Sequence, residues 1–146
     1  MDVFLKKADE VLSELISSGD KVLVGVSGGA DSIALIQVLN KFSLSKNYTL
    51  VIAHINHMAR GKDSFKDAKF VKDVAKNLGL PFYYKEINVD DQRLRLKKNF
   101  QEVARSIRYK FFEETLSIIG GNKIAVAHSA DDQIETILMN FVRGSG

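Results

Sequence analysis

VLVGVSGGADS, at residues 22–32, joins an apolar run to two glycines, an acid and two serines. The run Val22–Val26 is unbroken, as expected for a parallel strand that is buried on both faces. The next segment, IALIQVLNKF, is apolar around much of a helix, which favours packing against a sheet. The pattern predicts a strand, a glycine turn and a helix amino terminus, the parts of an anion site.

The turn SGGADS has the chemistry of a phosphate site. Gly28 and Gly29 lack the Cβ atoms that would keep a ligand from the backbone, and the first amides of the following helix have no intrahelical acceptor. Ser27 and Ser32 add hydroxyl donors, although the turn is too short for a Walker loop and no lysine follows it. Asp31 is best explained as a Mg²⁺ ligand, because an acid beside a phosphate is repulsive unless a metal ion lies between them. The alternative role is a helix N-cap.

The composition indicates a globular chain. Of its 146 residues, 45% are hydrophobic and 27% are charged, so one domain with its own core is expected. The absence of cysteine excludes disulfides, thiolate catalysis and cysteine zinc sites, and suits a reducing compartment such as the cytoplasm. No signal peptide, membrane span or membrane partner is predicted. The net charge of +3 is compatible with nucleic acid but does not require it.

Strand and helix patterns alternate along the chain. Strands are predicted at residues 22–26, 48–56, 82–87 and 123–128, with helices before, between and after them. The last helix is predicted over residues 130–144, and residues 88–99, with four cations between 93 and 98, are predicted to be a mobile loop. The alternation predicts an α/β fold with a doubly wound parallel sheet, helices on both faces and ligands at the carboxyl ends of the strands.

Polar segments follow three of the predicted strands: SGGADS, HINHMARGKDS and HSADDQIET. They should converge on one crevice. On the predicted last helix, Asp131, Asp132 and Glu135 would share one flank and, with Asp31, could hold a Mg²⁺ ion that bridges nucleotide phosphates. The alternative is that acids at a helix start only complement the helix dipole.

Histidines and arginines near these segments also suit a nucleotide site. His54 and His57 have no third soft metal ligand nearby in sequence, so hydrogen bonding is their commoner role. Arg60 is a candidate clamp for a phosphate or carboxylate, although a lone loop cation is more often solvated. One face of the fourth helix carries polar residues that would meet solvent, nucleotide or RNA, namely Gln101, Arg105 and Arg108.

Four segments together resemble a known family. VGVSGGADS, AHINHMARGKDS, FQEVARSIRYKFFEE and AHSADDQIETILMNFVRGSG, in this order and spacing, resemble the N-terminal catalytic domain of tRNA(Ile)-lysidine synthetase, a member of the PP-loop ATP pyrophosphatase group. The resemblance covers nearly the whole chain. The chain departs from the family at residues 57–61, where the family often has H-G-L-R-G, and at Ser129, where it often has a second histidine.

The resemblance implies a two-step ligation. The wobble cytidine of a tRNA(Ile) with a CAU anticodon attacks the α-phosphate of ATP, and the ε-amine of free L-lysine then displaces AMP to give lysidine. ATP binding is implied for Ser27, Gly28, Gly29, Ala30, Asp31, Ser32, His54 and Arg60. Mg²⁺ ligation is implied for Asp31 and Glu135, and catalytic roles for these two and for Asp131, Asp132 and His128. Contacts with tRNA or phosphates are implied for Arg105, Arg108 and Arg143.

The resemblance also predicts the domain organisation. Residues 1–146 should be an N-terminal PP-loop domain that is incomplete at its carboxyl end, lacks the tRNA-binding C-terminal domains and is weakly active or inactive alone. Two alternatives remain from the residues themselves: another PP-loop enzyme, such as a tRNA thiolase, or a nucleotide-binding module without catalysis. A homodimer also stays open, because the sequence does not fix the oligomeric state.

Overall fold

The computed structural model describes residues 3–58, 61–88, 90, 99–130 and 133–140. Its strands are β1 (Lys21–Gly25), β2 (Thr49–Asn56), β3 (Phe82–Glu86), β4 (Lys123–Ala130) and β5 (Gln133–Asn140). They form one sheet in the order β3-β2-β1-β4-β5. The pairs β1–β2, β1–β4 and β2–β3 are parallel, which confirms the predicted parallel sheet.

The described helices are α1 (Val3–Leu15), α2 (Ala30–Lys46), α3 (Lys62–Leu78) and α4 (Phe100–Ile119). Two of their ends follow from local sequence. Asn99 Oδ1 accepts a hydrogen bond of 2.8 Å from the Glu102 amide at the start of α4, a bond typical of an asparagine N-cap. Gly79 ends α3 with a φ of 70°, a left-handed conformation that glycine adopts without strain. Within the described part of the chain, no helix is long and apolar enough to cross a membrane.

Helices cover both faces of the sheet. Successive residues of β1 point to opposite faces, so Val22 and Val24 pack with α1, α2 and α3, whereas Leu23 packs with α4. These three side chains have no exposed surface, because a central parallel strand is covered on both sides. The predicted doubly wound arrangement is therefore confirmed.

The predicted last helix is wrong for residues Gln133–Asn140, which form β5. This strand runs antiparallel to β4, from the pair Lys123–Asn140 to the pair Ala130–Gln133. The spacing of Ile134, Ile137 and Leu138 fits a helix, but Ile134 and Ile137 are β-branched and favour a strand equally well. The outer edge of β4 offers backbone N–H and C=O groups, and pairing with β5 satisfies them.

Candidate functional site

A cavity of about 260 Å³ opens at the carboxyl ends of β1, β2 and β4. This is the edge of the sheet at which the sequence predicts a ligand. Its wall combines the strand ends with the start of α2, the first turns of α3 and the middle of α4. The lining residues are Gly25, Val26, Ser27, Ser32, Ala53, His54, Ile55, Asn56, His57, Ser64, Asp67, Arg108, Phe112, Val126 and Ala127.

The glycine turn beside this cavity is held by hydrogen bonds of two serines. The Ser32 hydroxyl accepts from the Gly28 amide at 3.1 Å and donates to the Gly29 carbonyl at 2.9 Å. The Ser27 hydroxyl accepts from the Gly29 amide at 3.2 Å and donates to Ser32 Oγ at 3.1 Å. Gly28 has a φ of 99°, which a residue with a Cβ rarely adopts. The two hydroxyls thus fix the shape of the turn.

The turn leads directly into α2, whose first residue is Ala30. Helix geometry leaves the amides of Ala30 and Asp31 without an intrahelical acceptor, and the helix dipole adds positive potential at the same place. Asp31 lies half-buried in the first turn of α2. The arrangement can therefore bind an anion next to a carboxylate, which is the combination expected of a phosphate accompanied by a metal ion.

The floor of the cavity depends on Gly25. A Cβ atom on Gly25 would lie 2.5 Å from Phe112 Cζ and 3.0 Å from Val126 Cγ1, so only glycine lets the Phe112 ring pack against β1. Arg108 lies one helical turn before Phe112 on α4 and also lines the cavity. Phe112 could not be identified as a wall residue from the sequence, because the pattern of α4 indicates only that its apolar face is buried.

His54 is held in one orientation at the end of β2. Its Nδ1 lies 2.7 Å from the Val26 carbonyl oxygen, and its ring stacks on Tyr84 at a centroid distance of 6.0 Å. A carbonyl can only accept, so Nδ1 carries the proton. Burial lowers the pKa of His54, against the opposing influence of the Val26 carbonyl and of the Asp67 carboxylate. His54 is therefore neutral at pH 7.

Asn56 fixes the segment that leaves β2, a role that was not predicted from the sequence. Its side chain accepts from the Met58 amide at 2.8 Å and donates to Tyr84 Oη at 3.1 Å, and it is 2% exposed. The bond to Met58 is an Asx turn, which supports the left-handed φ of 58° at Met58. The sequence feature that indicates this role is an asparagine at the end of a strand, directly before a polar segment.

His57, in the Asx turn, faces the cavity with an unsatisfied ring. Its Nδ1 is buried and has no hydrogen-bond partner among the described residues. Burial lowers the pKa of His57, and the positive charge of Arg108 and the proximity of His54 lower it further. The imidazole is therefore neutral at pH 7, and its Nδ1 has no partner in the part of the chain that the structure describes.

Two arginines of α4 flank one aromatic ring. The guanidinium carbons of Arg105 and Arg108 each lie 5.6 Å from the centre of the Tyr109 ring, a distance typical of cation–π contacts. Arg105 is exposed, whereas Arg108 is half-buried and reaches the cavity. The α4 face that was predicted to be basic therefore contributes Arg108 to the cavity, whereas Arg105 and Gln101 are exposed to solvent.

The structure brings some of the predicted site residues together. Ser27, Ser32, His54 and Arg108 line one cavity, and residues 28–31 form the adjoining turn. Arg60, Asp131, Asp132 and Arg143 lie outside the described residues, as do residue 89 and residues 91–98 of the predicted mobile loop. Glu135 lies on β5 in register with His128 on β4, and not on the predicted last helix.

Two further cavity residues were missed by sequence analysis. Ser64 and Asp67 line the cavity from α3, where their spacing of three residues places them on one face. The sequence feature that indicates this role is their position in the first turns of α3, the helix that follows the polar end of β2. Within the ranges that the structure describes, no group of three histidine, aspartate or glutamate side chains is placed to hold a metal ion.

Comparison with known proteins matches the chain to a PP-loop domain and to proteins named tRNA(Ile)-lysidine synthase. A family model described as a PP-loop domain matches residues 2–146. A tRNA(Ile)-lysidine synthase of Caldanaerobacter subterraneus is 44% identical over 132 residues, which cover 90% of this chain and 28% of that protein. A tRNA(Ile)-lysidine synthase of Clostridioides difficile is 40% identical over 143 residues, which cover 94% of this chain and 31% of that protein. The chain thus spans under a third of the length of these relatives.

A solved structure supports the same fold. The U34-tRNA thiolase NcsA from Methanococcus maripaludis matches with a TM-score of 0.71 over 88% of this chain and 44% of that chain. Its sequence identity is 21%, so the similarity concerns the fold alone. The family match and the structural match confirm, at the level of family and fold, the resemblance carried by the four sequence segments.

Proposed function

This chain belongs to the PP-loop domain family, and from that membership we propose that its cavity binds ATP with the phosphates on the turn at residues 27–32. Membership of this family implies ATP binding. The supporting observation is the turn itself, in which a glycine of positive φ and an open helix amino terminus adjoin a cavity at the carboxyl edge of the sheet.

The phosphates would meet backbone donors first. The amides of Ala30 and Asp31 and the dipole of α2 point toward the turn, and Arg108 supplies a guanidinium from the opposite wall. In the structure, both serine hydroxyls donate within the turn, so Ser27 and Ser32 would act on the phosphates mainly by fixing the backbone. We propose Arg60 and His54 as further contacts with the nucleotide.

The donor chemistry of the turn fits Mg²⁺. This ion prefers oxygen ligands and is commonly held by one or two carboxylates, with phosphates and water in the remaining positions. Asp31 provides one carboxylate beside the turn, and we propose Glu135 as a second. When bound, the ion would neutralise negative charge that develops on a leaving pyrophosphate.

We propose that the protein uses this site to form lysidine. The wobble cytidine of tRNA(Ile) with a CAU anticodon would attack the α-phosphorus, and the bond to pyrophosphate would break. The ε-amine of L-lysine would then displace AMP and lose a proton. The identities of 44% and 40% to proteins named tRNA(Ile)-lysidine synthase support this reaction. Arg105, Arg108 and Arg143 would contact tRNA or phosphates, and His128, Asp131 and Asp132 would lie near the lysine.

The proposal is tested by AMP release. The longest available protein containing this chain is incubated with α-labelled ATP and unmodified CAU-anticodon tRNA(Ile), with and without lysine. We expect AMP release that requires tRNA and lysine together, and a lysine-sized mass gain on the cytidine. AMP release without lysine, or with another acceptor, would keep the PP-loop function and reject lysidine formation. ATP binding without any AMP release would indicate a nucleotide-binding module.

A matched pair of acids tests the role of Asp31 in the same assay. Asp31 and Asp63 each lie in the first turn of a helix, but Asp31 is half-buried directly after the glycine turn, whereas Asp63 is exposed on α3. We expect Asp31→Ala to lower AMP release by at least about tenfold, because one metal ligand is lost. Asp63→Ala should leave the rate unchanged. Equal effects of the two substitutions would mean that Asp31 only complements the helix dipole.

A further inference from the structure

His57 has an unusual hydrogen-bond state for a half-buried residue. Its ring lines the cavity, yet its Nδ1 is closed off from solvent and has no partner among the described residues. Most buried polar atoms in proteins are hydrogen-bonded, so an exception beside a ligand cavity requires an explanation. Because Nδ1 is the enclosed nitrogen, Nε2 is the nitrogen through which the ring can meet a ligand.

The enclosed nitrogen also determines where the proton lies. A neutral imidazole has one N–H donor and one lone-pair acceptor. A buried N–H group without an acceptor is costly and rare, whereas an under-used acceptor is tolerated more often. His57 should therefore carry its proton on Nε2 and keep the lone pair on Nδ1. A charged ring would bury an unpaired N–H, which agrees with the lowered pKa of His57.

His54 and His57 thus differ in tautomer although they are neighbours in the same wall. His54 has its proton on Nδ1, where the Val26 carbonyl accepts it. Among the described residues, His57 Nδ1 has no such carbonyl, so its proton lies on Nε2, toward the cavity. The backbone of His57 is fixed by the Asn56 hydrogen bond to the Met58 amide, so the ring is presented from a defined position.

We propose that His57 contacts the bound nucleotide, with its Nε2–H donating a hydrogen bond to an anionic phosphoryl oxygen beside Arg108. This inference rests on the proposed function, because it requires ATP in the cavity. The phosphate-binding turn and the Arg108 guanidinium border the same cavity, so the ligand atom that meets His57 is expected to be anionic.

Amide substitutions test which nitrogen acts. Gln places its amide near the position of Nε2, whereas Asn places its amide near that of Nδ1. We expect His57→Leu to raise the Kd for Mg²⁺-ATP about tenfold, His57→Asn to behave like His57→Leu, and His57→Gln to stay within about threefold of wild type. Adenosine, which has no phosphate, should bind all four proteins alike. Gln37→Leu, on the exposed side of α2, is the control.

Nitrogen-15 NMR gives a measurement that does not depend on the variants folding. The chain has three histidines, so a histidine-labelled sample gives few signals to assign. We expect His54 in the Nδ1–H form and His57 in the Nε2–H form, with the His57 Nε2 signal moving on addition of ATP. An Nδ1–H form of His57, or a His57 signal that ATP leaves unmoved, would overturn the inference.

The outcomes also separate the inference from the proposed function. If wild type binds no ATP, the proposed function fails and this inference fails with it. If wild type binds ATP and His57→Leu binds it equally, only the inference fails. An effect of His57→Leu on tRNA binding alone would likewise reject the nucleotide contact, because the anion would then come from the RNA.

Discussion

The two ends of the sheet differ in how fully their buried polar groups are paired. At the amino end, Lys123 Nζ lies 2.6 Å from Asp20 Oδ2, and the two residues are 9% and 8% exposed. Asp20 also accepts from Asn122 Nδ2 at 2.8 Å and from the Ser17 amide at 2.7 Å, and Lys123 donates to the Leu15 carbonyl. At the carboxyl end, His57 Nδ1 has no partner among the described residues, and a cavity opens beside the strand ends.

The amino end of the sheet therefore contributes mainly to stability, and the carboxyl end is the one suited to ligand binding. Burial raises the pKa of Asp20, but hydrogen bonds from Lys123, Asn122 and Ser17, together with the Lys123 charge, bring it below its usual value of 3.8. Such a paired end contributes to the free energy of unfolding. The carboxyl end, with a cavity and a buried nitrogen that has no described partner, contributes less to the free energy of unfolding and is open to a ligand.

The largest expected effect is at the amino end. Lys123→Met leaves the Asp20 carboxylate buried without its charged partner, so we expect the free energy of unfolding to fall by about 3 kcal/mol in urea denaturation. Lys85→Met is the control, because Lys85 lies 4.0 Å from Glu114 in an exposed pair, and its loss should be within about 0.5 kcal/mol. Equal losses would mean that burial does not distinguish the two ion pairs.

A smaller effect is expected from the glycine turn. Gly28→Ala places a Cβ at a φ of 99°, and we expect a loss of about 1 kcal/mol in the same denaturation experiment. Gly29→Ala is the matched control: its φ is −74°, and its new Cβ would meet Ser27 Oγ at 3.5 Å, an ordinary contact. If the two substitutions lower the free energy of unfolding equally, the positive φ is not the reason why position 28 favours glycine.

The smallest effect is expected from pH, because no partner is removed. The pKa values of His54 and His57 are lowered by burial, so the unfolded chain binds protons more readily, and stability should fall as the pH drops below 6.5. The Asp20 contribution should remain until the pH falls through 3.8 and toward its lowered pKa. Urea midpoints measured against pH should show two stages. His54→Asn/His57→Gln should remove only the first, and a single stage at acidic pH in wild type would contradict the comparison.

Local features of the fold could be predicted from the sequence. The run Val22–Val26 and the glycines after it specify a strand, a turn and a helix start with residues adjacent in the chain. The cap formed by Asn99 and Glu102 is also local, since its two groups are three residues apart. Such features need no knowledge of what packs against them.

Features that depend on distant partners could not be predicted. The segment Gln133–Asn140 suits a helix by its apolar spacing and a strand by its β-branched residues, and pairing with β4 decides between them. The contact between Gly25 and Phe112 joins residues far apart in sequence, as does the hydrogen bond between Asn56 and Tyr84. The residues that shape the cavity wall were therefore harder to find than those of the turn.

The serine hydrogen bonds of the turn have a consequence for rates. Because Ser27 and Ser32 already hold the backbone of residues 27–29, a phosphate would meet a turn that does not need to be ordered during the encounter. Association should then be governed by diffusion and by the positive potential of α2 and Arg108, and its rate constant should fall with ionic strength. Differences in affinity among nucleotides would then come mainly from how fast each one leaves.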